Sequence, residues 1–68
     1  MFYYRLFFRK RADGPVLGVE EISARDDVEA VHLARERVGP QLLELWQNKR
    51  KVKRFAPVGD GLPFPLSQ

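Results

Sequence analysis

The residues that could do chemistry are few, and their spacing argues against catalysis. His32 is the one histidine and the chain has no cysteine, so no second imidazole or thiolate can join it as a metal ligand or a nucleophile–base pair. Asp26 and Asp27 have the form of an acid/base or metal pair. They stand directly before an apolar stripe of helical period, however, where carboxylates cap a helix and meet the positive end of its dipole. Glu20 and Glu21 are adjacent in a strand-like stretch, so their side chains point to opposite faces and cannot share a proton or a cation. Ser23 and Ser67 have no base near them in sequence, and Gly59-Asp60-Gly61 lacks the following helix and lysine of a phosphate loop. The expectation is a chain with no enzymatic activity, no cofactor, no metal and no small-molecule substrate.

The second kind of chemistry is recognition. Tyr3, Arg5, Phe7 and Arg9 occupy every second position of the N-terminal stretch, and Trp46, Lys51, Lys53 and Phe55 repeat the mixture near the other end. On a sheet, these eight residues are expected to share one face. Rings flanked by cations serve two purposes. They stack on unpaired bases while neutralising phosphates, or they form the apolar anchors and polar rim of a protein interface. Basic residues number 12 and acidic ones 9, a net charge of only +3. With no RNP-type motif and no Gly-x-x-Gly clamp, the protein interface, formed with a second copy or a small partner, is preferred. Nucleic-acid binding by the same face is the alternative. Lysines on an edge strand also guard against edge-to-edge aggregation.

Positioning these residues requires four strands and a helix. Asp26 followed by Glu29 forms a capping-box pattern, and Val28, Ala30, Val31, Ala34 and Val38 then recur at helical spacing. Arg35 and Arg37 load the last turn, Gly39 is expected to supply a left-handed exit, and Pro40 bars continuation. Residues 42–47 and 50–55 flank Asn48-Lys49, a two-residue turn in which Asn tolerates positive φ. A regular register sets Gln47 opposite Arg50, Trp46 opposite Lys51, Leu45 opposite Val52 and Glu44 opposite Lys53. Residues 2–10 and 16–24 form the other hairpin around Asp13-Gly14-Pro15, with Leu6 opposite Ile22 if Gly14 makes a bulge. The most apolar strands belong in the centre, giving an α+β fold of order ββαββ with strands arranged 2-1-3-4, all antiparallel. The helix then covers Tyr4, Leu6, Ile22, Leu43, Leu45 and Val52 on one face.

Sixty-eight residues, 44% hydrophobic and 31% charged, suffice for one small domain. It is expected over residues 1–56, with a Pro-rich flexible tail over 57–68. Charge sums to +3 over residues 1–19, −4 over 20–36 and +4 over 37–68, which anticipates an acidic helix side and a basic sheet side. Arg5 interrupts the apolar start and no small-residue cleavage site follows, so neither a signal peptide nor a membrane span is expected, and the chain is expected to be cytoplasmic.

The strings Tyr4-Arg5-Leu6-Phe7-Phe8, Asp26-Asp27-x-Glu29-Ala30 with Ala34, and Leu45-Trp46-Gln47 with Val52 resemble those of a set of short uncharacterised bacterial ββαββ proteins. The resemblance spans residues 3–55, implies the same element order and a bacterial origin, and brings no activity with it. The strand–helix order is also similar to that of antitoxins with a partial RNase H-like fold, which have three strands before the helix where this chain has two.

Overall fold

A computed structural model describes residues 1–58 of the chain. The expected tail lies, from residue 59 on, outside the described residues. Strand β1 (Phe2–Arg9) and strand β2 (Val16–Ala24) precede helix α1 (Asp27–Arg35), and strands β3 (Leu42–Gln47) and β4 (Arg50–Phe55) follow it. The sheet order is β2-β1-β3-β4 with every pair antiparallel, so the two most apolar strands occupy the centre.

The helix starts as its sequence dictates. Asp26 is extended at the N-cap and its Oδ1 accepts the Glu29 amide at 2.9 Å. The Glu29 carboxylate reaches one residue further back than a capping box requires, accepting the Arg25 amide at 2.7 Å. The exit differs from expectation, because no described glycine has positive φ. Instead the chain tightens: the amides of Glu36, Arg37 and Val38 bond to the carbonyls of Leu33, Ala34 and Arg35. Gly39 turns its carbonyl to the amide of Val58, so the second residue of the expected tail is tied down.

Ala30 and Ala34 are fully buried, and their small side chains let the helix lie close to Tyr4, Leu6, Ile22, Leu43 and Leu45. Val31, Leu33 and Val38 pack at the margins of this core. Val28, expected on the buried stripe, is 78% exposed, because it lies more than about 90° round the helix from the buried Ala30 and Ala34. That turn is held by polar contacts. The buried Tyr4 hydroxyl donates to Asp27 Oδ1 at 2.8 Å, and Arg50 bonds both oxygens of the same carboxylate at 3.0 and 3.1 Å. One carboxylate thus fastens α1 to β1 and to the β3–β4 turn, where Asn48 has φ 55° as its type allows.

Two registers depart from the regular pairing. In β3–β4, Gln47 faces Arg50 and Trp46 faces Lys51, but a bulge then sets Leu45 opposite Lys53, Glu44 opposite Arg54 and Leu43 opposite Phe55. The insertion at Val52 turns both Val52 and Phe55 towards the helix, and Phe55 becomes only 7% exposed within the core. Burying a phenylalanine contributes about 2–3 kcal/mol, more than one lost rung of a ladder costs. In β1–β2, Tyr4 faces Ile22 and Leu6 faces Glu20, with the irregularity between Phe8 and Arg9 rather than at Gly14. The register lies two residues from the expected one, so the faces are unchanged. Glu20 is accommodated there because Arg37, just beyond the helix, bonds both its carboxylate oxygens at 3.0 and 3.1 Å.

The helix side is therefore not the bare acidic surface that segment charges anticipate: Asp27, Glu20 and Glu29 are paired with Arg50, Arg37 and Arg25. Hydrogen bonds from Arg50 and then Tyr4 hold the Asp27 carboxyl below its ordinary value. A depressed carboxyl stabilises the fold fully above the ordinary aspartate value, and that contribution fades as pH falls through the lower folded value. Asp27→Asn is accordingly expected to lower the thermal midpoint near neutral pH and to flatten its decline below about pH 4. Circular-dichroism melts across pH check this, and an unchanged acid slope would contradict it.

Candidate functional site

The sheet face opposite α1 is built by strand alternation. With Tyr4 and Leu6 buried under the helix, β1 turns Tyr3, Arg5, Phe7 and Arg9 to the other side. Pairing brings Ser23, Glu21 and Val19 of β2 beside Tyr3, Arg5 and Phe7, and Trp46 and Glu44 of β3 beside Arg5 and Phe7. Lys51 and Arg54 complete the face from β4. Six of the eight residues expected on this face are there: Tyr3, Arg5, Phe7, Arg9, Trp46 and Lys51. Lys53 and Phe55 are not, because the bulge at Val52 moves them to the helix side, where the Lys53 ammonium lies 5.7 Å from the Phe55 ring centre. Arg54 takes the place on the open face that Lys53 was expected to hold.

The centre of the face is organised by Glu44, which the sequence places only as the cross-strand partner of Lys53. It is 4% exposed. Its Oε1 accepts the Arg9 Nε at 3.0 Å and the Trp46 indole N–H at 3.4 Å, and the Lys51 ammonium lies 3.7 Å from Oε2. Burial pushes the Glu44 carboxyl up, but the hydrogen bonds from Arg9 and Trp46 and the charges of Arg9 and Lys51 outweigh it and leave it below its ordinary value. Lys51 also sits 5.6 Å from the Trp46 ring centre, the cation–aromatic pair that the regular hairpin register anticipates. Phe7 meets Trp46 edge to face, centroids 6.4 Å apart.

The β1–β2 half has a different character. Tyr3 is 67% exposed, and Val16, Leu17 and Val19 are also open to solvent. Tyr3, Arg5, Phe7, Glu21 and the turn residue Asn48 line a hollow of about 190 Å³. Arg5 and Glu21 face each other across the strands, yet neither makes an ion pair or side-chain hydrogen bond among the described residues. The exposed valines and Leu17 are absent from the sequence reading of the face. The uncharged run from Val16 to Val19 on a strand placed at the edge is the signal that would have found them.

Among the described residues, no three His, Asp or Glu side chains group so as to hold a metal ion, and no helix is long and apolar enough to cross a membrane. His32 is exposed on α1, and Asp26, Asp27, Glu20 and Glu21 each take the separate positions described above. No protein-family model matches the sequence, and neither a curated protein nor a solved structure matches it.

Glu44→Gln keeps an acceptor for Trp46 while releasing Arg9 and Lys51 from their shared counter-charge. The substitution is expected to cost about 1 kcal/mol, the cations being partly exposed, and to raise the salt concentration needed to elute the protein from heparin. Chemical denaturation and the elution profile check both effects. Unchanged retention would show that Glu44 does not restrain these cations.

Proposed function

We propose that the chain is a non-enzymatic interaction module that self-associates through the β1–β2 half of its open sheet face. The observation that carries this reading is the division of labour on that face. Arg9 and Lys51, two of the cations a nucleic acid would need, are already engaged by Glu44, whereas the apolar surface of Tyr3, Val16, Leu17 and Val19 stands uncovered beside them. Apolar side chains left exposed along one edge of a sheet favour a contact site. Lys53, a further phosphate-binding candidate, is on the other face, and Arg54 takes its place on the open one.

A second copy fits the patch by charge. The β1–β2 half carries one cation and one carboxylate, Arg5 and Glu21, that have no bonded partner among the described residues, Arg9 and Glu20 being paired with Glu44 and Arg37. Two such surfaces related by a two-fold axis bring the Arg5 of each copy towards the Glu21 of the other, with Tyr3 and Phe7 between them. Stacked sheets lie about 10 Å apart, a gap that aromatic side chains from both faces fill. A small domain gains most from such a contact, because its own core is limited.

Sedimentation velocity over a concentration series tests the reading. The native chain is expected to dimerise, and Phe7→Glu to weaken the association by about tenfold or more. Arg5→Glu should weaken it too, and the double variant Arg5→Glu with Glu21→Arg should restore it. A monomer at every concentration would overturn the proposal. Trp46 emission that is quenched saturably by single-stranded oligonucleotides, and recovers steeply with salt, would replace it with nucleic-acid binding.

A further inference from the structure

The sheet has a second unpartnered margin, on the opposite side from the proposed dimer contact. Strand β4 is an edge, so one side of its backbone is unpaired. Beside it, on the helix side, runs a groove between α1 and β4. Val28, Val31 and Val52 line a hollow of about 420 Å³ together with His32 and Arg35. A second hollow of about 490 Å³, bounded by Arg35, Val38, Lys53 and Phe55, continues it. Arg35 borders both, so the groove follows β4 from the first turn of α1 to beyond its last. Its floor is apolar and one wall is a strand with free backbone groups, the two features strand addition uses.

The charges decide what kind of strand fits. Arg35, Lys53 and Arg54 are exposed and make no ion pair among the described residues, while the acid at the far end of the groove, Asp27, is taken up by Arg50. Pairing β4 with the β4 of a second copy would set the cations of residues 50–54 against an identical row, which repulsion forbids. An added strand alternates its side chains between the two faces of the sheet. Those turned to the helix side meet Val28, Val31 and Val52, with the free Arg35 and Lys53 at the rim; those turned to the open side lie along the free Arg54 and along Lys51, which Glu44 shares. We infer that the α1–β4 groove is a docking site for an extended protein segment in which apolar residues alternate with acidic ones, added as a fifth strand to β4.

The test uses the full chain and a fluorescently labelled peptide alternating glutamate with valine. Saturable binding is expected, with slowed hydrogen exchange at amides of β4, a signature that loose electrostatic contact does not produce. Lys53→Glu with Arg54→Glu should reduce affinity by about tenfold or more. Val28→Asp should reduce it several-fold, and since Val28 is exposed the fold is preserved. Arg54→Glu alone gives the same direction if the double variant fails to fold. No saturable binding, or equal binding of a glutamate–serine peptide without protection of β4, would overturn the inference. Displacement of the peptide by single-stranded DNA at a lower concentration than by unlabelled peptide would assign the groove to phosphate instead. None of these variants touches the β1–β2 half, so dimerisation is expected to survive all of them.

Discussion

A single short helix must cover a four-stranded sheet, and most features of this protein follow from that shortage. Nine residues make a helix about 13–14 Å long, while four strands spaced about 4.8 Å apart span a comparable width and extend further lengthwise. The helix covers the middle of one face and nothing else. Ala30 and Ala34 bring it close, but alanines bury little area, so its ends are held by charge: Asp27 to Tyr4 and Arg50 at one end, Arg37 to Glu20 just past the other. The uncovered remainder consists of the entire opposite face and the groove along β4. Both surfaces discussed above are what an undersized helix leaves behind.

Burying a carboxylate at the centre of the open face looks costly, since an apolar residue there would extend the hydrophobic surface. The Glu44 position explains the choice. Phe7 and Trp46 already supply the apolar surface, and Arg9 and Lys51 border them on either side. Without an acid between them, these cations would spread a positive field over the aromatics. With Glu44 in place they are drawn inward and shield it from water. The carboxylate stays ionised because its bonded donors outweigh the desolvation it suffers. Compact charge neutralisation at one place leaves the neighbouring β1–β2 half close to neutral, a property a self-associating surface needs.

Features encoded locally were legible in the sequence, and features decided by packing were not. The Asp26 cap, the Asn48 turn, the strand order and the inward residues Tyr4, Leu6, Ile22, Leu43 and Leu45 all follow from spacing within a few residues. The exit of the helix did not follow, because the chain leaves by a tightened last turn through Val38 rather than by a left-handed Gly39. The bulge at Val52 was equally hidden. Every cross-strand pair of the regular register is reasonable on its own, and only the gain from placing Phe55 in the core rejects it. That one inserted residue displaced Lys53 and Phe55 from the expected face and brought Arg54 onto it. For the same reason the role of Glu44 was hidden: its partners Arg9 and Lys51 lie on different strands, and their convergence appears only once both registers are set.

The two edges of the sheet obey different rules, and the difference constrains any assembly. The outer half of β2 carries Val16, Leu17 and Val19 without a charge among them, whereas β4 has a cation at four of its six positions. Like surfaces meet readily at the first and repel at the second. In the proposed two-fold contact through the β1–β2 half, an orientation that carries both β4 strands to the periphery avoids cation–cation opposition. In that orientation each copy would keep its α1–β4 groove open, and occupancy of one groove would neither require nor block the other. A partner with two acidic strands joined by a linker long enough to span the pair would bind both grooves at once and gain by effective concentration, while a shorter linker would bridge separate dimers. If both proposed contacts form, the spacing of acidic segments in a partner would set whether this small domain closes into a discrete complex or extends into a chain.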